Sequence, residues 1–337
     1  MKIAIHVGLH RAASTALQHY LENHRKALEA EGVFLLTDLS SGAQPSLLGV
    51  MVGDTLQAEN ADAVGLMVQE ELARLSENWR AVVISDENLP GLMPGLNGSA
   101  FAKLGPLTQV LGHIAHRHEL LPLIILREHT AWLKSLYRIA QLRGEAADFM
   151  TFSENALRPA TSFRHVVEQL SGIAPPMVES LEAIRTDGGR RVLTALELFL
   201  NSGAFKDKML GRANAAPHAI LPTLHQQAAA LNAKISLRER PGLQHLLGRL
   251  ARQNVQDATD LQTAARLLAG NVLRPRNGPD GGPFLSLQEA KALLLRCLAA
   301  AKAPLASPAE IAMLRQRYAS DRQWLAEHHN IDLENPS

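Results

Sequence analysis

Ile3-Ala4-Ile5-His6-Val7-Gly8-Leu9-His10-Arg11-Ala12-Ala13-Ser14-Thr15-Ala16-Leu17-Gln18 decides the reading of this chain. Ile3–Val7 is rich in β-branched residues and ends at a glycine, the pattern of a short buried strand. From Ser14 the period changes. Leu17, Tyr20, Leu21, His24 and Leu28 recur at helical spacing, with Gly32 as the expected stop. Ser14 or Thr15 is the expected N-cap of that helix. Residues 8–13 then form a tight loop leading from a strand into a helix N-terminus. Such a place offers backbone N–H groups and the positive end of a helix dipole to an anion. Arg11 adds a cation, and Ser14 and Thr15 add hydroxyl donors. These features together predict a phosphate cradle.

Working outward, further apolar runs of strand length are expected at 32–36, 81–85, 121–128 and 176–181. The unalternating run Ala81-Val82-Val83-Ile84-Ser85 suits a parallel sheet covered on both faces. Helices are expected at 63–75, 101–113, 129–138, 150–170, 191–200, 214–232, 237–251, 286–302 and 307–328, the last opened by a Ser307–Glu310 capping box. The fold class implied is α/β, with a mostly parallel central sheet flanked by helices and a helical C-terminal third. The division expected is a single domain over 1–337, with an α/β core at 1–200 and a mainly helical extension at 201–337.

Composition narrows the function classes. The chain has 337 residues, of which 46% are hydrophobic, enough for a sizeable core. A formal net charge of +1 argues against general nucleic-acid binding and makes any anion site local. The one cysteine, Cys297, excludes an intrachain disulfide and reads as a buried apolar residue. No apolar run approaches the roughly 18 residues of a membrane span, and the first strand begins without a leader pattern. A cytoplasmic location is the resulting expectation. The fourteen histidines lack metal-ligand spacing; His113, His116 and His118 have no cysteine or carboxylate pair beside them, and no metal is expected.

The third strand run ends in Ser85-Asp86-Glu87-Asn88 and a Gly/Pro-rich stretch to Gly98. Strand ends of parallel sheets are where ligands bind, which makes Glu87 a candidate general base. The competing reading is an acidic helix cap made by Ser85 and Asp86. The fourth run ends at Arg127, and the next helix carries Ser135 eight positions later. A guanidinium can bind phosphate bidentately, and a hydroxyl donates one bond more.

The N-terminal stretch lacks the second glycine and the lysine of the nucleotide triphosphatase loop. It resembles instead the 5′-phosphosulfate loop of sulfotransferases that use 3′-phosphoadenosine 5′-phosphosulfate (PAPS), which in bacterial members reads like H-x-G-x-H-K-T-G-[ST]-T-x-x-Q. His6, Gly8, His10, Ser14, Thr15 and Gln18 match it. Arg11 stands for the lysine, Ala12 for a threonine and Ala13 for a glycine. Arg127 and Ser135 resemble the family's 3′-phosphate pair, Glu87 its Ser-x-Glu-Asn segment, and Leu314, Tyr318, Asp321 and Leu325 its C-terminal helix. The resemblance implies sulfonyl transfer from PAPS to a hydroxyl or amine of a small-molecule or carbohydrate acceptor. It implies Arg11, Glu87 and His10 as catalytic residues. The loop Arg11, Ala12, Ala13, Ser14 and Thr15, with Arg127 and Ser135, would hold the co-substrate. Two other classes stay open: a magnesium-dependent P-loop kinase or hydrolase, suggested by the apolar run ending in Asp86, and a non-catalytic nucleotide-binding protein. Residues 272–283, with Arg274 and Arg276, are expected to be a solvated loop.

Overall fold

The computed structural model describes residues 1–37, 51, 56–94, 99–142, 148–158, 162–205, 209–210 and 306–333, with short pieces at 234–235, 265–266, 272–273, 288, 290–292 and 294–295. It forms two compact units. The first comprises 1–133, 153–215 and 309–337, and the second 134–152 and 216–308.

The first unit is built on five parallel strands, β1 (Lys2–His6), β2 (Val33–Thr37), β3 (Ala81–Ser85), β4 (Glu119–Leu126) and β5 (Met177–Ser180), in the order β2-β3-β1-β4-β5. The expected α/β class with a parallel sheet is observed. β1 lies at the centre, and Ile3, Ala4 and Ile5 are buried, as a strand covered on both faces requires. In the ladders His6 pairs with Ser85 and with Leu123, and Leu126 pairs with Ser180. The loops that leave β1, β3, β4 and β5 therefore emerge at one edge of the sheet. The chain goes from β1 to the far edge, returns through β3, and then crosses to β4. That reversal makes the C-terminal end of β1 a topological switch point, the kind of place where open α/β sheets bind ligands.

The helices of the first unit are α1 (Ser14–Asn23), α2 (Arg25–Ala30), α3 (Ala61–Ser76), α4 (Leu104–Arg117), α7 (Phe163–Ser171), α8 (Leu181–Asp187), α9 (Arg190–Leu200), α10 (Pro308–Arg317) and α11 (Ala319–His329). Helix α5 (His129–Leu142) starts in the first unit and continues into the second, and α6 (Phe149–Leu157) spans their boundary in sequence. The strand expected at 81–85 has those bounds, while β1 and β4 each start one or two residues before the apolar run.

Three expected helices are each two. The first breaks at His24, whose ring Nδ1 and backbone N–H both turn to the Tyr20 carbonyl before the chain restarts as α2. The stretch 150–170 divides after Leu157, and α7 starts with Ser162 accepting from His165 N–H. The terminal helix breaks at Tyr318. A further helix, α8, was not expected. Its N-cap Ser180 accepts from Ala183 N–H, and Gly188 closes it in the left-handed region at φ 69°.

Val272–Leu273, at the start of the expected loop, is a strand paired antiparallel with Lys234–Ile235. The remainder of that loop, with Arg274 and Arg276, and the helices expected at 214–232 and 237–251 lie outside the described residues, as does Cys297. Of the helix expected at 286–302, the described residues are helical. Among the described residues, no helix is long and apolar enough to cross a membrane.

Candidate functional site

The loop from β1 to α1 is built from unusual backbone. Gly8, Arg11 and Ala13 have φ of 76°, 66° and 65°, so three residues in six lie in the left-handed region. Gly8 is required sterically as well, because a Cβ there would stand 2.4 Å from the Glu87 Cα. The loop thus runs directly against the backbone that follows β3. Ala13 is the N-cap of α1, not Ser14 or Thr15. The Ser14 hydroxyl turns back to donate to the Leu9 carbonyl at 2.9 Å, closing the loop on itself.

Three side chains from elsewhere fix this loop. Trp132 Nε1 on α5 donates to the His10 carbonyl at 2.8 Å. Arg127 Nη1, just after β4, donates to the Arg11 carbonyl at 3.2 Å. The His10 ring is bonded through Nε2 to the Gly91 carbonyl at 3.1 Å. A carbonyl only accepts, so that nitrogen carries the hydrogen, and a base role would fall to Nδ1. His10 is thereby a clasp between the β1 and β3 loops. The sequence places Trp132 only within the helix expected at 129–138; its partner is 122 positions away, and no local pattern announces it.

Glu87 follows β3 and is half-buried. Gln18 on α1 donates through Nε2 both to the Ser85 carbonyl, at 3.3 Å, and to Glu87 Oε2, at 3.0 Å. The carboxylate is held towards the loop, with Gly8 against its own backbone. Asp86 does not cap a helix. Its Oδ1 accepts from Asn88 N–H at 2.7 Å and Nδ2 at 2.8 Å, an Asx turn that shapes the start of the 89–94 segment. The expected loop residues 95–98 lie outside the described residues.

Arginines and carboxylates face one another at this edge. Burial lowers the Arg11 guanidinium, and Glu87 raises it. Burial, with Arg185 and Arg11 nearby, pushes Arg127 down to about 10, so it is charged at neutral pH; Glu182 and Glu128 act in the opposite sense. Arg127 Nε is buried with no hydrogen-bond partner. Both Glu182 oxygens are buried without a hydrogen bond of normal geometry, and burial raises that carboxyl above the ordinary glutamate range, opposed by nearby amides and by Arg127. Ser135 is buried on the part of α5 that belongs to the second unit, and Arg127 lies in the first.

Helix capping distinguishes the positions along the edge. Helix α5 is capped by Glu128, which accepts from Thr130 N–H at 3.0 Å, Ala131 N–H at 2.7 Å and the Thr130 hydroxyl. Helix α8 is capped by Ser180. Helix α1 has an alanine as N-cap and no acidic residue in its first turn. The positive end of its dipole is met by no carboxylate of its own helix, and it lies behind a loop carrying Arg11. This arrangement can hold a phosphate or sulfate group with a guanidinium and a carboxylate beside it. Among the described residues, no group of histidine, cysteine, aspartate and glutamate could hold a metal ion.

No family model and no curated protein matches the chain. Among solved structures it is similar to a sulfotransferase from Alicyclobacillus acidocaldarius, at 12% identity and a TM-score of 0.36, over 68% of this chain and 95% of that one.

Two predictions follow from the loop and the strand beneath it. Gly8→Ala should lower stability to urea by about 1–3 kcal/mol, since a methyl group cannot share space with the Glu87 backbone. Ala13→Gly should raise it by about 0.5–1 kcal/mol by relieving a left-handed alanine. Equal and small changes in both would mean that the loop does not hold this conformation. Beneath the loop, His6 is bonded at Nδ1 to the Ser85 hydroxyl at 2.8 Å, and its Nε2 is buried without a partner. Burial pushes its pKa down from 6.5 to about 3. Between those values the unfolded chain takes up a proton that the folded chain refuses, so this contribution to stability is full above pH 6.5 and is lost as pH falls. The loss should reach about 1.4 kcal/mol per pH unit. His6→Gln should flatten that limb in urea unfolding at pH 6.5, 5.5 and 4.5; an unchanged slope would assign it to other groups.

Proposed function

We propose that the chain transfers a sulfonyl group from PAPS to a hydroxyl or amine of a small-molecule or carbohydrate acceptor. The observation that carries this reading is the convergence at one sheet edge of the Arg11 loop, Arg127 bonded to its carbonyl at 3.2 Å, and Glu87 packed against Gly8. The motif order seen in the sequence agrees with it. The uncapped N-terminus of α1, with Arg11 and the loop amides, would take the 5′-phosphosulfate. Arg127 would take the 3′-phosphate, for which its buried Nε is an unspent donor. Ser135 is the hydroxyl that the resemblance pairs with it.

In the reaction the acceptor oxygen or nitrogen forms a bond to sulfur while the bond from sulfur to the bridging phosphate oxygen breaks. The acceptor proton passes to Glu87, which Gln18 orients. Negative charge gathers on the departing phosphate, where Arg11 and the helix N-terminus offset it. The product nucleotide is 3′,5′-adenosine bisphosphate. Positioning and positive charge supply the catalysis in this scheme.

Side-by-side calorimetric titration with 3′,5′-adenosine bisphosphate, AMP and ATP tests the nucleotide assignment. The bisphosphate should bind tightest, and Arg127→Ala should weaken it by about 1.5–3 kcal/mol more than it weakens AMP. Preference for ATP with magnesium would overturn the reading in favour of a P-loop kinase or hydrolase. Glu87→Gln should leave bisphosphate binding intact and slow transfer by about 10²–10⁴-fold. Tight binding of bisphosphate with no transfer to any acceptor would make the chain a nucleotide-binding protein instead.

A further inference from the structure

Arg127 is followed directly by two residues whose side chains are buried and engaged within the protein. Glu128 is spent on capping its own helix. His129 is fully buried, and its ring is sandwiched between Phe163, with centroids 4.1 Å apart and planes at 23°, and Tyr318, at 4.4 Å and 6°. Its Nε2 donates to Asp321 Oδ2 at 2.6 Å. Asp321 belongs to α11, almost 200 positions further along the chain, and is itself buried. The same carboxylate accepts from Phe163 N–H at 3.0 Å and Arg164 N–H at 2.7 Å, so it also caps α7.

One carboxylate near the end of the chain thus gathers the start of α5 and the start of α7. A buried carboxylate is costly unless hydrogen-bonded, and here three donors converge on it. The junction has no place in the proposed transfer chemistry. Its consequence is geometric. Arg127 stands between the end of β4 and a residue that cannot rotate, because His129 is held by two stacked rings and one bond. On its other side Arg127 donates to the Arg11 carbonyl.

We infer that His129 and Asp321 are a positioning pair, through which the C-terminal helix fixes the turn that presents Arg127. The last helix is then part of the anion site without touching it. The ligand arm of the test rests on the proposed nucleotide reading; the exchange arm does not.

The test uses the full chain. His129→Phe keeps a ring between Phe163 and Tyr318 but loses the bond to Asp321. Asp321→Asn is the milder variant should that one fail to fold, since its carboxamide oxygen can still accept from the α7 amides. Leu325→Ala is the control: it removes a buried apolar side chain from the same helix and leaves the pair in place. Hydrogen exchange over residues 127–133 and the affinity ratio of 3′,5′-adenosine bisphosphate to AMP are measured in each. His129→Phe or Asp321→Asn should speed exchange in that stretch and lower the ratio, each by roughly tenfold. Leu325→Ala should alter neither, even where it lowers the melting temperature as much. The inference is overturned if the control reproduces the changes or if neither pair variant produces them. A wild-type chain with no preference for the bisphosphate would refute the nucleotide reading alone, and the exchange result would still decide the pairing.

Discussion

Two hydrogen bonds onto adjacent carbonyls hold the candidate site together. Trp132 and Arg127 donate to His10 and Arg11 in the middle of the loop between β1 and α1. That loop carries two non-glycine residues in the left-handed region, a conformation costing roughly 1–2 kcal/mol at each. It persists because its carbonyls are claimed from outside, its first turn is closed by the Ser14 hydroxyl, and Gly8 lies flat against Glu87. Strain stored where the surroundings over-determine it is what a preformed anion site requires. The donors themselves depend on the packing behind them: Trp132 lies between Phe101 and Phe163, and Arg127 leads into the buried His129.

Charge follows the same division of labour. Helices α5 and α8, which begin at the shared sheet edge, satisfy their first amides with Glu128 and Ser180. Helix α1 has no capping side chain, and Arg11 stands in the loop before it. The carboxylates at this edge are each assigned. Asp86 closes a turn, Glu128 caps a helix, Glu87 is held by Gln18, and Glu182 lies buried near Arg127. Glu87 is the carboxylate that lies directly against the loop, which suits it to accept a proton there.

Much of this was legible in the sequence, and the illegible parts have a common cause. The Ala81–Ser85 strand was read with its observed bounds because its burial on both faces leaves an unbroken apolar run. β4 begins at Glu119, whose exposed side chain hides the strand's start. The split before α7 was available from Pro159, and α8 from Ser180 and Gly188. The breaks at His24 and Tyr318 involve neither proline nor glycine; Tyr318 turns to stack on His129, a contact visible only in three dimensions. At the site, Arg11, Glu87 and Arg127 were singled out because strand ends and loops announce themselves locally. Trp132, Glu182 and the His129–Asp321 pair were not, since each acts through a partner remote in sequence. The cap of α1 was misassigned to Ser14 or Thr15 for a related reason: the serine has a better acceptor in the Leu9 carbonyl.

The candidate site depends most on α5 holding the loop between β1 and α1 in shape. Trp132→Phe tests it directly, because phenylalanine can keep the packing against Phe101 and Phe163 while removing the Nε1 donor to the His10 carbonyl. The measurement is the dissociation constant for 3′,5′-adenosine bisphosphate, taken with a thermal melt of the same sample. The expected result is a folded protein whose dissociation constant rises by about 5–100-fold, the cost of removing one partner of a buried hydrogen bond. A folded variant that binds the bisphosphate as tightly as the wild type would contradict it.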